Sequence, residues 1–277
     1  MKSVHVMNKA GTCKIAVFDS GVGGLTVLKE LLRIVPQADY LYFGDTARLP
    51  YGSKSAETVA KYAISAAHFL EAQGAELLVV ACNTATALAF DKIKSNVRLP
   101  VIGVVEPGAD SAARASKSKT AAVLATEATI ASHAYQRALA ARGITTCEKA
   151  CPLFVPLVEE GWVNHNVTEQ VARIYLAEVF DGGAKPDVLL LGCTHYPLLR
   201  PLLERLVPAG VTIVDSAEST AGAVREQIGN TTRTRASAPQ QSSLHCFATD
   251  SVAKFKLLGE RFLDRPLDNV QHVDTEA

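Results

Sequence analysis

The residues best suited to chemistry are two cysteines in matched settings. Cys82 and Cys193 each follow an apolar run, residues 77–80 (LLVV) and 188–191 (VLLL). Each is followed by hydrogen-bonding side chains, Asn83 and Thr84 in one case and Thr194 and His195 in the other. A lone buried cysteine is most often a small hydrophobe. Two cysteines delivered in the same way, at the ends of two buried strands, read as functional thiols. A helix N-terminus or a neighbouring cation draws a thiol down from its usual pKa of about 8.5, making it a better nucleophile or base. His195, two residues after Cys193, could supply such a cation. Asp19 and Ser20 lie in a turn with Gly21, Gly23 and Gly24, where the backbone can approach a ligand closely. That turn is not a dinucleotide fingerprint, because Thr26 stands where the last glycine of G-x-G-x-x-G belongs and Asp19 would repel a pyrophosphate. Asp19 suits either a substrate ammonium or assistance to a neighbouring thiol. Cys147, Cys151, Cys193 and His195 lack the spacing of a common zinc motif. By composition alone Glu159 reads as surface or loop, and Tyr51 and Gly52 carry no signal of their own.

The elements that position these residues alternate between short apolar strands and helical patterns, which indicates an α/β chain with mostly parallel sheets. Residues 15–18, 41–43, 77–80, 121–124, 188–191 and 246–248 read as strands. Leu25, Leu28, Leu31, Leu32 and Val35 share one helical face, closed by Pro36. Further helices are expected over about 56–73, from after residue 124 to about Arg142, from Asn166 to Phe180 and over 252–262. Gly74 and Gly143 serve as stops. Asn166 and Glu169 have the spacing of a capping box. Residues 231–243 are polar and read as a loop.

An internal repeat ties the two thiols together. Residues 75–84 (AELLVVACNT) align without a gap on 186–195 (PDVLLLGCTH), and residues 16–20 align on 122–126. Two similar α/β units would each present a thiol at the C-terminal end of a strand, where such sheets bind ligands.

Composition narrows the class. The chain has 277 residues, enough for two ordinary domains, with 48% apolar and 20% charged residues as in a soluble globular protein. Lys and Arg together number 28, as do Asp and Glu, so no net field points to nucleic acid or an anionic membrane. The first twelve residues lack the apolar core of a signal peptide, and no apolar run is long enough to span a bilayer. A cytoplasmic protein is expected, in which Cys13, Cys82, Cys147, Cys151, Cys193 and Cys246 stay reduced.

Five blocks together resemble the glutamate racemases of the aspartate/glutamate racemase superfamily. They are residues 18–25 (FDSGVGGL), 44–52 (GDTARLPYG), 81–86 (ACNTAT), 151–159 (CPLFVPLVE) and 192–197 (GCTHYP), in family order. The resemblance covers about 15–262 and implies two pseudo-symmetric α/β domains facing a central cleft. Their boundaries would be 1–106 with 216–277, and 107–215. It implies Cys82 and Cys193 as catalytic acid/bases, with Asp19 assisting Cys82, and His195 and Glu159 assisting Cys193. The neighbouring Glu160 competes for the role of Glu159. Asp19, Ser20, Tyr51, Gly52, Asn83, Thr84, Thr194 and His195 would hold the substrate. His133 and the stretch 231–243 are less typical of the family. The implied reaction interconverts L- and D-glutamate without metal or other cofactor and supplies D-glutamate for peptidoglycan. The only partner implied is the small-molecule substrate, with a homodimer left open. The nearest alternative is a racemase for aspartate or another amino acid.

Overall fold

The computed structural model describes residues 13–229 and 242–275. Two parallel sheets share one plan. In the first, β1 (Lys14–Asp19), β2 (Asp39–Gly44), β3 (Leu77–Val80) and β4 (Val101–Gly103) stand in the order β2-β1-β3-β4. Connecting them are α1 (Leu25–Ile34), α2 (Ala56–Ala72) and α3 (Asn83–Asn96), and α4 (Val105–Ala115) follows β4. In the second, β5 (Thr120–Ala125), β6 (Thr145–Ala150), β7 (Val188–Gly192) and β8 (Thr212–Asp215) stand in the order β6-β5-β7-β8. Its helices are α5 (Glu127–Ala131), α6 (Ala134–Ala140), α7 (Phe154–Glu159), α8 (Asn166–Phe180) and α9 (Arg200–Leu206). The chain then continues through α10 (Ser216–Gly229), β9 (Leu244–Ala248), α11 (Val252–Leu263) and β10 (Val270–His272), and β9 and β10 extend the first sheet beyond β2.

The repeat read from the sequence is a repeat of register. Ile15 pairs with Leu77 and Phe18 with Val80, while Ala121 pairs with Val188 and Leu124 with Leu191. These are the same pairings under the alignment. The acidic residue that opens each repeat has a matched backbone job. Glu76 Oε2 accepts from the Lys14 amide at 2.8 Å, and Asp187 Oδ2 accepts from the Lys117 and Ser118 amides at 2.6 and 2.7 Å. Each carboxylate thus ties down the chain entering the neighbouring central strand.

Strand alternation divides the core. Ile15 and Val17 face a layer that also holds Leu189, Leu191 and Tyr196 from the second unit, with Ala221 and Val224 of α10. Ala16 and Phe18 face the opposite way, onto Val59, Ala63 and Leu70 of α2. Ala121, Val123 and Leu190 pack with Val105, Ala109 and Leu139. The shared layer joins the units, and α10 strengthens it by packing on both α1 and α4.

Two sequence expectations change. The helix read as continuous to Arg142 is broken at His133, which adopts a left-handed φ of 54° between α5 and α6. Asn166 does not cap α8. His165 does, its Nδ1 accepting from the Val167 amide at 3.2 Å, while Glu169 pairs instead with Arg173 at 2.7 Å. The stretch 231–243 lies outside the described residues except for Ser242 and Ser243. Among the described residues, no helix is long and apolar enough to cross a membrane.

Candidate active site

Both sheets end at one cavity of about 390 Å³. Cys82 and Cys193 line it, exposed by only 5% and 7%. Ser20, Tyr51, Gly52, Asn83, Thr84, Glu159, Thr194 and His195 line the same cavity. A larger groove of about 1000 Å³ is lined by Lys29, Glu106, Arg200, Asp215 and Glu218, and contains neither thiol. The smaller cavity is therefore where the chemistry must be sought.

The two thiols sit in different fields. Cys82 is the N-cap of α3, and its Sγ accepts from the Ala85 amide at 3.4 Å and donates to Ser20 Oγ at 3.6 Å. The sequence argument expects such a helix N-terminus to lower the pKa. The reverse holds for Cys82: burial, and then the charge of Asp19, push its thiol up to about 12 despite those hydrogen bonds. Cys193 is followed by a 3₁₀ turn, Tyr196–Leu199, rather than a helix. Its neighbour His195 is 4% exposed, and its Nε2 lies 3.0 Å from Glu159 Oε1. Burial opposes charge on that ring, but the Cys193 sulfur and the Glu159 carboxylate outweigh it and raise the imidazole to about 10. Burial also pushes Glu159 up, and the bond and charge of His195 reverse it, leaving the carboxyl below its usual range. Glu159 rather than exposed Glu160 faces the site, because the last turn of α7 points it at His195.

Asp19 acts on both units, through its charge on Cys82 and through a hydrogen bond to Thr194. It is fully buried, its Oδ2 accepts from the Gly21 amide at 2.9 Å and its Oδ1 accepts from Thr194 Oγ1 at 3.4 Å. Burial drives its pKa up, against the pull of His195 and these hydrogen bonds. Its charge disfavours a Cys82 thiolate, so any help to that thiol comes through a proton or a bound cation. The glycines beside it pack closely against protein. A Cβ at Gly23 would stand 2.3 Å from Thr194 Oγ1 and 2.5 Å from His195 Nδ1. Thr26, the residue that spoils the dinucleotide fingerprint, donates its hydroxyl to Thr194 O at 3.0 Å. The turn after β1 is thus the seat on which the Cys193 loop rests.

Other contributors escaped the sequence reading. Thr126 lines the cavity, and its Oγ1 lies 2.9 Å from those of both Thr84 and Thr129. The repeat aligns it with Ser20, a signal that pointed to it. Tyr51 is held by Asp45 Oδ2 at 2.6 Å, and Asp45 is in turn bound by Arg48 at 3.0 Å and Thr249 at 2.9 Å. The cluster fixes the loop that carries Gly52, whose backbone passes so close to Thr126 that a Cβ would come within 2.9 Å. Cys151 is buried with its thiol donating to Lys149 O at 3.6 Å. Among the described residues, no group of three or more His, Cys, Asp or Glu side chains could hold a metal ion.

Known proteins resemble the chain in sequence and fold. Residues 17–224 match the Asp/Glu/Hydantoin racemase family. A glutamate racemase of Koribacter versatilis is 58% identical, over 94% of this chain and 97% of its own. One from Geobacter metallireducens is 46% identical, over 95% and 97%. The crystal structure of a Francisella tularensis glutamate racemase in complex with D-glutamate superposes with a TM-score of 0.86 at 34% identity, covering 95% of this chain and 98% of that one. Matched across both sheets, and over nearly the full length of these relatives, the chain belongs to the Asp/Glu/Hydantoin racemase family and falls among its glutamate racemases.

Proposed function

We propose that the chain interconverts L- and D-glutamate by moving the Cα proton between two thiols, Cys82 and Cys193. The observation that carries the reading is that one small cavity is lined by both cysteines, each delivered by the equivalent strand of a different sheet. Racemisation needs a base on one face of Cα and an acid on the other, with the roles exchanged in reverse. The cavity's own electrostatics favour such an asymmetry. On the Cys82 side the neutral thiol is stabilised, which suits an acid. On the other side, protonated His195 can balance negative charge on the Cys193 sulfur, which suits a base.

For the opposite direction Cys82 must give up its proton, and the substrate itself supplies the means. An α-ammonium held by Asp19 and Ser20 would bring a positive charge beside Cys82 and offset the field that holds its proton. Asn83, Thr84, Thr194 and Thr126 are suited to donate to carboxylates, and they stabilise charge that develops as the carbanion spreads into the α-carboxylate. Tyr51 and Gly52 form the wall against the rest of the substrate. Every group invoked comes from one chain, so the reading does not require a second copy.

Residues 1–106 with 216–277 would form the Cys82 domain and 107–215 the Cys193 domain. The pairing of β9 and β10 onto the first sheet supports that division. The product, D-glutamate, would serve peptidoglycan synthesis. A reducing cytoplasm suits an enzyme whose two working thiols must remain free.

The test is incubation with L-glutamate in D2O under reducing conditions, followed by chiral chromatography and mass spectrometry. D-glutamate formed early should carry deuterium at Cα, because the donating thiol exchanges with solvent. Cys82→Ala and Cys193→Ala should each lose at least about 100-fold in turnover while keeping the parent circular dichroism. Product without deuterium, or near-normal turnover in either folded variant, would overturn the two-thiol reading.

A further inference from the structure

Of the polar groups at the cavity, Asn83 is half satisfied. It is buried, and its Nδ2 has no hydrogen-bond partner. Its Oδ1 accepts a 2.5 Å bond from the Tyr135 hydroxyl. Asn83 opens α3 beside the first sheet and Tyr135 lies on α6 beside the second, so this bond crosses between the units. Tyr135 is fully buried and is not part of the cavity wall. It is tightly held: a Cβ on Gly192 would come within 2.9 Å of its ring, and one on Gly108 within 3.3 Å of its hydroxyl. The bond runs from the phenol O–H to an amide oxygen, which can only accept, so what Tyr135 offers Asn83 is its proton.

A side-chain amide has one accepting end and one donating end. A donor fixed on Oδ1 therefore leaves the NH2 group as the unpaired end of a side chain whose residue lines the cavity. We propose that Tyr135 is a positioning residue for racemisation: it locks the Asn83 amide so that Nδ2 meets the substrate carboxylate. The proposal rests on the racemase reading above and adds a residue that never touches the substrate. Without the phenol hydroxyl the amide can rotate, and half of its orientations would set Oδ1 against a carboxylate. The loss should be felt most in the transition state, where negative charge on the carboxylate grows.

The experiment is a double-mutant cycle on Tyr135 and Asn83. Tyr135→Phe should lower kcat about tenfold, the worth of one such hydrogen bond, with a smaller change in KM. In the Asn83→Ala background, Tyr135→Phe should cause no further loss, read as the rate of Cα deuterium exchange so that slow variants remain measurable. Thermal midpoints separate stability from turnover. If Tyr135→Phe leaves turnover unchanged, or lowers it by the same factor in the Asn83→Ala background, the positioning role is wrong. If the parent enzyme itself fails to racemise glutamate, the fault lies with the reading of the function instead.

Discussion

Gly23→Ala tests whether the turn after β1 is a seat for the Cys193 loop. The new methyl carbon would stand 2.3 Å from Thr194 Oγ1, 2.5 Å from His195 Nδ1 and 2.7 Å from His195 Cε1. Ordinary contact begins near 3.4 Å, so these side chains or the turn must move by about 1 Å. Neither neighbour can yield freely. His195 is tied to Glu159 at 3.0 Å and packed edge-on against Phe262, with ring centroids 5.1 Å apart. Thr194 is held at its backbone oxygen by Thr26 of α1, and its hydroxyl donates to Asp19. A displacement of about 1 Å at reacting groups costs on the order of 100-fold in rate, or about 2.7 kcal/mol of transition-state stabilisation. Overpacking should also cost about 1–3 kcal/mol of stability.

Gly21→Ala is the comparison within the same turn. The nearest atoms its methyl would meet belong to Leu49, with Cδ2 at 3.1 Å, the end of a flexible side chain. Its loss should stay under about tenfold, equivalent to 1.4 kcal/mol. The assay is kcat/KM from each enantiomer by chiral chromatography, with the thermal midpoint measured alongside. Free enantiomers have equal energy in achiral solvent, so kcat/KM must fall by the same factor in both directions, which provides an internal check. A Gly23→Ala enzyme with parental kcat/KM, or a Gly21→Ala enzyme damaged more severely, would refute the seat.

Two pH-dependent outcomes follow from the buried groups. Glu159→Gln should lower the His195 pKa from about 10 and draw the alkaline edge of the activity profile down with it, because the carboxylate is one of the two groups that hold the proton. Imidazole NMR titration alongside the pH–rate profile checks this, and an unmoved His195 would refute it. The folded protein should also lose stability at alkaline pH. Cys82 and Cys246 both have thiols raised to about 12. Their contribution is complete below the unfolded value of about 8.5 and is lost as pH rises towards 12, roughly 2 kcal/mol for each by pH 10. Urea midpoints with reductant at pH 7.5 and 10 measure it, and equal midpoints would rule it out.

What was legible in the sequence follows physical strength of signal. Central strands β1, β3, β5 and β7 are buried on both faces and read as unbroken apolar runs, so their pairing and the thiols at their ends emerged from the repeat. Edge strand β6 (TTCEKA) is only partly covered and polar, and β4 and β10 have three residues each, so no periodicity marked them. Helix α10 buries mainly small residues, Ala217, Thr220 and Ala221, which give an apolar stripe little contrast. Glu159 and Glu160 could not be separated, because their difference is a matter of helical phase at the end of a six-residue helix. The raised pKa of Cys82 is hidden for a related reason. A helix N-terminus is visible in a sequence, whereas complete burial beside the Asp19 carboxyl group is not.

The departure from symmetry matters most for catalysis. Two equivalent thiols in identical surroundings would share one proton preference, and both would be acids or both bases at a given pH. Under the alignment, Asp19 falls opposite Ala125, and Thr84 falls opposite His195. Both changes put ionisable groups where the other half has none. Each also acts across the boundary: Asp19 accepts from Thr194 of the second unit, His195 of that unit partly offsets the burial that raises the Asp19 pKa, and Asp19 opposes ionisation of Cys82 in the first. A cation arriving near Asp19 would therefore be felt by both thiols at once. It would ease ionisation of Cys82 and weaken the hold of Asp19 on positive charge at His195. In the proposed two-thiol reaction, substrate binding would be the event that exchanges acid and base between the two sides, and replacing Asp19 should impair that exchange in both directions rather than silence one thiol alone.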